Sequence, residues 1–463
     1  MVIHSIQRPL LLGALALASA SGALGAEPAR QPLSLSAAMA QARQASPLAL
    51  AARARTDAAG AQVRQGDALR WPRLTLSELW VGTDSPAEVF AWKLNQERFS
   101  FAEFTRENPN QPDFLVSGLT RLELAVPLWT GGEIRSRRAQ ARLGLEAAEH
   151  SQARSTDQAA LAAARAYILL AQVREQVTLL EHSRETVAAH VELARAYVEQ
   201  GMVVASELLR AEVELARLDD LLAEARGRER VAEAALSFAL AEGLDRRWDL
   251  EPLAEIQDAA TARLEIPAGG TRDDLEAARR QVAAAELEVA ARKAALGPNV
   301  SLLARHDRVD DRPFGSHGSA TSAMAVASWA FFDGGQRRAA VAAAQAEAQA
   351  AKLELEHAQE GARLEQQSAL EQARSGLERN RTARKALVAA AETVRILEER
   401  FGAGVVKTLD LLDAVTARRE AETRELASRA EADLALLELS VAAGLSPESA
   451  LAWIDPQKAR VQP

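Results

Sequence analysis

Two carboxylates stand three positions apart shortly after a glycine: Asp410 and Asp413 follow Gly404. On a helix, side chains three positions apart share one face, so these two would form one negative surface. Glu207 stands at the corresponding place after Gly201, 203 positions earlier. Such carboxylates could stabilise the positive N-terminal end of a helix, or, around an axis shared by several chains, form a ring that attracts cations. The spacing alone leaves both roles open.

A second set of side chains has the residue types that bind metal ions. It consists of His306, Asp310, Asp311 and His317. Their spacing matches no established ligand pattern, so we predict no metal site. The sequence also lacks the G-x-x-x-x-G-K-[ST] phosphate loop, the G-x-S-x-G nucleophile motif and the H-E-x-x-H zinc motif. We therefore expect a protein that is not an enzyme, has no cofactor and does not energise transport itself.

The chain contains two related copies of one large unit. Gly131-Gly132 recurs 203 positions later as Gly334-Gly335, and the residues around Gly201 recur around Gly404 at the same offset. Such self-similarity indicates a tandem structural repeat. The predicted organisation is a first copy over residues 27–242, a linker over 243–271, a second copy over 272–444 and a C-terminal tail over 445–463.

Each copy has a long stretch without proline in which apolar residues recur every seven positions, the spacing of a coiled-coil seam. In the first copy this pattern predicts one uninterrupted helix over residues 133–200. The seam positions are Ala166, Leu170, Val173, Val177, Leu180, Val187, Val191, Ala194 and Val198, then Ala383, Leu387, Ala390, Val394, Leu397 and Phe401. A glycine turn ends each seam, and a second helix follows, with Ser206 or Thr408 as its predicted cap. Each copy should form a helical hairpin with an exposed tip.

A pattern with period two precedes each double glycine. Residues 122–128 alternate between apolar and other side chains, which is typical of a strand with one apolar face. Weaker alternation at residues 74–81, 300–305 and 324–331 completes four predicted strands, two per copy. The pairs are joined by a long loop (about 82–117) and a short one (about 307–319), and the double glycines are the strand-to-helix junctions. Residues 33–70 and 272–295 are predicted as one further helix per copy.

Composition and the first residues indicate export. Hydrophobic residues make up 48% and aromatic residues 4% of the chain, while 26% are charged. This mixture is typical of long helices with one solvent-exposed face. Residues 1–26 have a basic start, a short apolar run and small residues, the pattern of a signal peptide. There is no cysteine, and hence no disulfide. The formal net charge of −9, without a basic patch, argues against nucleic acid as a partner.

Four strands are too few to close a barrel, and open strand edges promote aggregation. In an exported protein, strands with one apolar face indicate an outer-membrane barrel, where closure is obligatory because lipid offers no hydrogen bonds. Three chains would supply twelve strands, within the range of membrane barrels. The predicted fold is therefore mainly α-helical with membrane β-strands: a homotrimeric channel-tunnel whose 12-stranded barrel continues as a helical coiled-coil barrel.

The sequence resembles the TolC-like outer-membrane efflux proteins. The resemblance covers essentially the whole mature chain and rests on the duplication, the two strand-to-helix junctions and the two tips, among them Thr408-Leu409-Asp410-Leu411-Leu412. It implies a homotrimer in the outer membrane, with its helical tunnel in the periplasm, that contacts a periplasmic adaptor protein and an inner-membrane transporter. It also places the periplasmic aperture at Asp410 and Asp413, with Glu207 as the counterpart in the first copy. The implied adaptor-docking tips are Gly201, Met202, Ala403, Gly404 and Val405.

Two features depart from that resemblance or extend it. Family members help to close the periplasmic end with a tyrosine and an arginine, but this chain has Phe401 and Val406 at those positions. Phe401 has no hydroxyl group, so the closing contact must differ. The long first loop contains a segment, residues 90–99, that is similar to one found in a subgroup of the family, and we expect it on the extracellular side.

Two other classes of protein also have exported helical hairpins. A periplasmic adaptor would show one hairpin flanked by β-rich domains, whereas this chain has two hairpins and two strand pairs. A soluble coiled-coil scaffold without a pore would leave the alternating strand at residues 122–128 unexplained. The sequence therefore favours an outer-membrane conduit that passively conducts its substrates.

Overall fold

The computed structural model describes residues 30–102, 108–202, 204–253, 264–267, 270–402, 405–406 and 408–454. The predicted signal peptide lies outside them. The helices are α1 Leu35–Ala45, α2 Pro47–Ala68, α3 Pro86–Asn95, α4 Glu133–Glu199, α5 Ala205–Ala239, α6 Asp273–Ala294, α7 Gln336–Gly402, α8 Thr408–Ala442 and α9 Leu451–Ile454. The strands are β1 Gln31–Leu33, β2 Arg73–Thr83, β3 Leu115–Trp129, β4 Trp248–Leu250, β5 Asn299–Asp310 and β6 Gly318–Ser328.

Two helical hairpins dominate the chain, α4 with α5 and α7 with α8. Helices α4 and α7 each have 67 residues, and α5 and α8 each have 35. At about 1.5 Å per residue the longer helices reach roughly 100 Å. The predicted uninterrupted helix over 133–200 is confirmed, and most of its seam positions are buried, whereas in the second hairpin only Ala383 and Val394 of the predicted positions are buried within the single chain.

The largest core cluster lies where α1, α4, α5, α7 and α8 meet. Tyr167 of α4 is fully buried there, and its hydroxyl lies 2.7 Å from the backbone oxygen of Glu251. Trp248 is buried beside it and donates its indole N–H to the Ser237 hydroxyl at 2.8 Å. The predicted linker is therefore partly ordered core, because β4 pairs in parallel with β1 near the start of the chain.

The predicted single helix over residues 33–70 is wrong, because α1 and α2 meet at Ser46-Pro47. Pro47 has no N–H to donate, and it begins α2 where that N–H is not needed. Ser46 adopts an extended conformation and its hydroxyl accepts a hydrogen bond from the Leu48 N–H at 3.3 Å. Ser46 thus caps α2 and ends α1.

Four strands form one antiparallel sheet in the order β2-β3-β5-β6, so β2 and β6 are its edges. The strand predictions are confirmed with shifted ends, and β6 stops at Ser328 because its last partner, Asn299, begins β5. Pro127 lies in the central strand β3, and the β3–β5 register shifts between it and Trp129. A proline cannot donate to a strand ladder, which explains an irregularity there. The predicted loop 82–117 was incomplete, because it contains α3.

The last segment also packs on the core. A short 3-10 turn, Pro447–Ala450, leads into α9, and both Ala450 and Ile454 are almost fully buried. The predicted tail is thus anchored up to residue 454. No helix in the described part of the chain has the length and apolarity needed to cross a membrane.

Candidate functional site

The tip of the first hairpin is a tight, hydrogen-bonded turn. Gly201 has a φ of +70°, its N–H bonds to the Val198 carbonyl at 2.9 Å, and the Met202 N–H bonds to the Tyr197 carbonyl at 2.9 Å. These two bonds define a Schellman motif, which requires a left-handed residue and so favours glycine. Met202 is 67% exposed at the end of this turn. The turn thus exposes the apolar Met202 side chain to solvent at the end of the hairpin.

The second tip has a matching feature. The Val405 N–H bonds to the Arg400 carbonyl at 3.1 Å, 203 positions after the bond made by Met202. Val405 is 76% exposed. The other two predicted docking residues of this tip, Ala403 and Gly404, lie outside the described residues. Both tips therefore present an exposed apolar side chain directly after the long helix.

The predicted aperture carboxylates lie in the first two turns of the return helices. Asp410 and Asp413 are both exposed on α8, while Leu411 and Leu412 between them are buried. Leu412 packs into a cluster formed by the first hairpin, so this packing fixes the two carboxylates on the outward side of α8. Glu207 is half-buried in the first turn of α5.

The start of α5 differs from the prediction in one respect. Its cap is Val204, which has no side-chain hydrogen bond to offer, and Ser206 lies inside the first turn. The prediction of Ser206 as the cap is therefore wrong, because a Ser206 cap would start the helix at Glu207, whereas α5 starts two residues earlier, at Ala205. Glu207 nevertheless lies in the first turn of α5, a position that favours a negative charge.

Ion pairs connect the two hairpins. Arg419 of α8 is buried and donates to Glu214 of α5 at 2.7 Å. Farther from the tips, Arg165 of α4 donates to Glu438 of α8 at 2.7 Å. Of these two pairs, Arg419–Glu214 lies closer to the tips, the region where Phe401 and Val406 replace the closing residues of the family. Sequence reasoning missed this pair, because the two residues are 205 positions apart and each resembles many other charged helix residues.

In the half of the sheet next to the helices, the two faces differ in character. The apolar face is formed by residues that the strand register places side by side: Leu74, Leu76, Leu122, Leu124, Val126, Leu302, Ala304, Ala323 and Ala325. The opposite face, called the charged face below, carries two cross-strand ion pairs. Arg121 bonds to Asp307 at 2.8 Å, and Arg305 bonds to Glu123 at 2.6 Å. The predicted alternation in residues 122–128 is confirmed by this arrangement.

Exposed aromatic side chains gather at the end of the sheet next to the helices. They are Trp71, Trp129, Trp329, Phe331 and Phe332. Trp329 also donates its indole N–H to the Leu296 carbonyl at 3.0 Å. Bands of aromatic residues at both borders of the apolar zone are characteristic of membrane barrels. This group has the position expected for one such border.

The four predicted junction glycines all have positive φ. The angles are +63° at Gly131, +94° at Gly132, +63° at Gly334 and +90° at Gly335. These values turn the chain from strand to helix, and L side chains rarely adopt them. An added Cβ at Gly131 would also lie 2.8 Å from the Ala294 carbonyl oxygen, whereas the other three positions have open space.

The four possible metal ligands make protein contacts instead. The His306 Nδ1 atom lies 2.9 Å from the Thr321 hydroxyl, and Asp311 accepts a bond from Arg98 at 2.8 Å. Asp310 accepts the backbone N–H of His317 at 3.0 Å. Within the described ranges, no group of three or more histidine, aspartate or glutamate residues could hold a metal ion.

Comparison with known families decides the identity of this architecture. Residues 38–242 and 268–445 match the model of a family described as outer membrane efflux protein. The chain belongs to this family. Its members are channels rather than enzymes, so this chain is an outer-membrane efflux channel component with a helical tunnel in the periplasm.

Solved structures of outer-membrane channels share the fold. CusC is 17% identical, with a TM-score of 0.74 over 89% of this chain and 92% of CusC. VceC from Vibrio cholerae is 22% identical, with a TM-score of 0.71 over 89% of this chain and 96% of VceC. The open state of MtrE from Neisseria gonorrhoeae is 18% identical, with a TM-score of 0.71 over 89% of each chain. A search of curated proteins gives no match.

Because the chain belongs to the efflux family, its sheet and its hairpins can be placed relative to the membrane. In a membrane barrel the apolar side of each strand faces lipid and the polar side faces the lumen. The apolar face thus corresponds to the lipid side, and the charged face with Arg121 and Asp307 to the lumen. Because α4 and α7 leave the same end of the sheet, that end is periplasmic, and the turns between β2 and β3 and between β5 and β6 are extracellular.

Proposed function

We propose that three copies of this efflux protein form one continuous channel, with β2 of each copy pairing with β6 of the next to close a 12-stranded barrel. The proposal rests mainly on the open sheet, which has two edge strands, an apolar face and a charged face. Open edges cannot face lipid, because each unpaired N–H or C=O group there costs several kcal/mol. Closure between copies satisfies these groups.

The helical hairpins of three copies would then surround one axis and extend the barrel as a tunnel. The exposed face of α5 supports such packing. Val213, Val231 and Phe238 are all largely exposed in the single chain, and their spacing of 18 and 7 positions places them on one side of the helix. Contact with a neighbouring copy would remove these side chains from water.

We assign the chain two copies of one structural repeat. The signal peptide is residues 1–26, the first copy 27–242, the linker 243–271, the second copy 272–444 and the tail 445–463. The equal lengths of α4 and α7, and of α5 and α8, support this division. Each copy contributes one strand pair to the barrel and one hairpin to the tunnel.

We assign the periplasmic aperture to Asp410, Asp413 and Glu207. Around a threefold axis, Asp410 and Asp413 would supply six carboxylates at the narrow end of the tunnel. A dense ring of negative charge concentrates cations and repels its own members, so the ring resists full closure. The exposure of both aspartates in the single chain supports this role.

The tips are the proposed contact with a periplasmic adaptor protein, which links the channel to an inner-membrane transporter. The exposed Met202 and Val405 side chains give the adaptor an apolar surface. The other proposed docking residues are Gly201, Ala403 and Gly404. The transporter supplies the driving force, and this chain conducts its substrates passively.

Planar bilayer recordings test the channel and its aperture together. The purified protein is compared with an Asp410→Asn/Asp413→Asn variant, which removes two charges per chain. An Asp57→Asn/Asp245→Asn variant, which alters two exposed acids away from the tips, is the matched control. We expect the wild type and the control to prefer cations and the aperture variant to lose most of that preference.

Two results would contradict the proposal in different ways. If the wild type forms no channels, the conducting function is wrong. If all three proteins conduct with the same ion preference, the channel stands but the aperture lies elsewhere.

A further inference from the structure

The extracellular loop between β2 and β3 contains a helix that crosses the sheet. Helix α3 starts three residues after β2, at one edge, and ends beside β6, at the other. The backbone oxygen of Asn95 lies so close to Gly318 that an added Cβ there would be 1.8 Å away. Ten helical residues extend about 15 Å, and three spacings between four strands amount to about 14 Å. The helix therefore has the length needed to span the whole sheet.

Helix α3 lies over the charged face rather than the apolar face. Gln96, which follows the helix, is only 1% exposed, and it donates to the Ser117 hydroxyl at 2.9 Å. Ser117 shares the side of β3 that carries Arg121. The outer residues of the other strands on this side are covered or closely approached as well: Thr83, Val309 and Gly318. Because the charged face is the lumen side, α3 lies inside the outer mouth.

Hydrogen bonds and ring contacts fix the position of this helix. The Thr83 hydroxyl donates to Glu88 in the first turn at 2.5 Å and accepts the Ser85 N–H at 3.1 Å. The ring of Phe99, which follows the helix, meets the ring of Phe90 in α3 edge to face, with centroids 4.9 Å apart. Arg98 holds the turn between β5 and β6 through its bond to Asp311. The loop is thus attached to both strand pairs.

The side of α3 that faces away from the sheet is apolar. Ala87, Phe90, Ala91 and Leu94 follow a spacing of three or four positions and are all exposed. Phe90 is 44% and Leu94 is 53% exposed in the single chain. An apolar helix face is unexpected on the wall of a water-filled lumen, which is normally polar in membrane barrels. In a trimer, however, three such faces would point at one axis.

We propose that the α3 helices of three copies form an apolar constriction at the outer mouth of the lumen, set by Phe90 and Leu94. This inference rests on the proposed trimer. Apolar constrictions oppose the passage of ions because water is unstable between closely spaced apolar surfaces. The chain would then have two narrow points of different chemistry, a carboxylate ring at the periplasmic tip and an apolar ring at the cell surface.

Crosslinking tests where α3 lies. Because the chain has no cysteine, Leu94→Cys introduces a single thiol per copy. We expect mild oxidation or a short bifunctional maleimide to join two copies of this variant. Arg308→Cys is the matched control, since Arg308 is exposed on the opposite face of the sheet at a similar height, and we expect no crosslink from it.

Single-channel recording tests what the constriction does. In Phe90→Ser/Leu94→Ser the apolar ring becomes polar, and we expect the conductance at least to double. Phe114→Ser is the control, because Phe114 lies against Gly82 on the other side of β2. A trimeric, conducting protein in which Leu94→Cys fails to crosslink, or in which the double variant leaves conductance unchanged, would overturn the constriction. A wild type that is not trimeric would instead overturn the proposed function.

Discussion

A buried carboxyl group is the most unusual single residue of the tunnel. Asp433 of α8 is fully buried, and neither of its side-chain oxygens has a hydrogen-bond partner among the described residues. Burial raises the pKa of Asp433 to about 7, because the charged form loses its hydration. Arg429 and Arg384 oppose this shift, while Glu175 and Glu425 add to it.

The raised pKa makes the stability of the protein depend on pH. A carboxyl group whose pKa is higher in the folded than in the unfolded state stabilises the fold most below its ordinary pKa near 4. Its contribution falls as the pH rises towards 7 and is then constant. We expect Asp433→Asn, which cannot ionise, to be more stable than the wild type at pH 8, by at most about 4 kcal/mol per chain.

Thermal unfolding in detergent at pH 5 and pH 8 measures this effect. The difference between Asp433→Asn and the wild type should be larger at pH 8 than at pH 5. Asp57→Asn, on the exposed side of α2, should follow the wild type at both values. Equal pH dependence in all three proteins would show that Asp433 does not titrate in this range.

For single residues, the sequence indicates a role only where the same pattern occurs twice in the chain. Asp410 and Glu207 could be singled out because they occupy equivalent places in two tips. Asp433 could not, because it is one of many acids in α8, and its raised pKa depends on burial in the folded chain and on charges such as Glu175 in a distant part of the sequence. The ion pair between Arg419 and Glu214 was missed for the same reason.

The junctions between strands and helices depend on their glycines to different degrees. Gly131 and Gly334 have the same φ of +63°, but only Gly131 faces a carbonyl oxygen, that of Ala294 in α6. An alanine at either position should cost roughly 1–2 kcal/mol, because a Cβ disfavours the left-handed conformation. We expect Gly131→Ala to cost about 1 kcal/mol more, since its Cβ would displace α6.

Unfolding midpoints of the two single variants, measured side by side, test this difference. Each is the control for the other, because the backbone conformation is shared. A larger loss in Gly334→Ala than in Gly131→Ala would contradict the assigned contact.

Elements with a long internal pattern could be predicted from sequence, and short ones could not. Helix α4 was predicted almost to its ends, because a seven-residue repeat without proline leaves little alternative. Strand β4 has three residues and exists only because β1 lies beside it. Helix α3 lies in a stretch that the sequence predicts as loop, since its position depends on contacts such as Gln96 with Ser117. Pro47 by itself indicates a helix boundary, but the helix-favouring residues on both sides of it favour one continuous helix.

On the scale of the whole molecule, the proposed trimer makes one chain a third of the barrel wall. Its sheet has an apolar face, a charged face and two edge strands that pair on one side only within the described residues. The sequence predicted this situation from alternation and strand number alone. The orientation of α3 over the charged face could not be predicted, because it depends on how the loop folds back on strands from both strand pairs.

The mass of the intact particle tests closure between copies most directly. The protein is extracted from outer membranes in a mild detergent and weighed by native mass spectrometry, with the detergent removed in the gas phase. We expect a particle of three identical processed chains and no stable single chain in detergent-free buffer. A monodisperse single chain that stays soluble without detergent and does not bind lipid vesicles would contradict it.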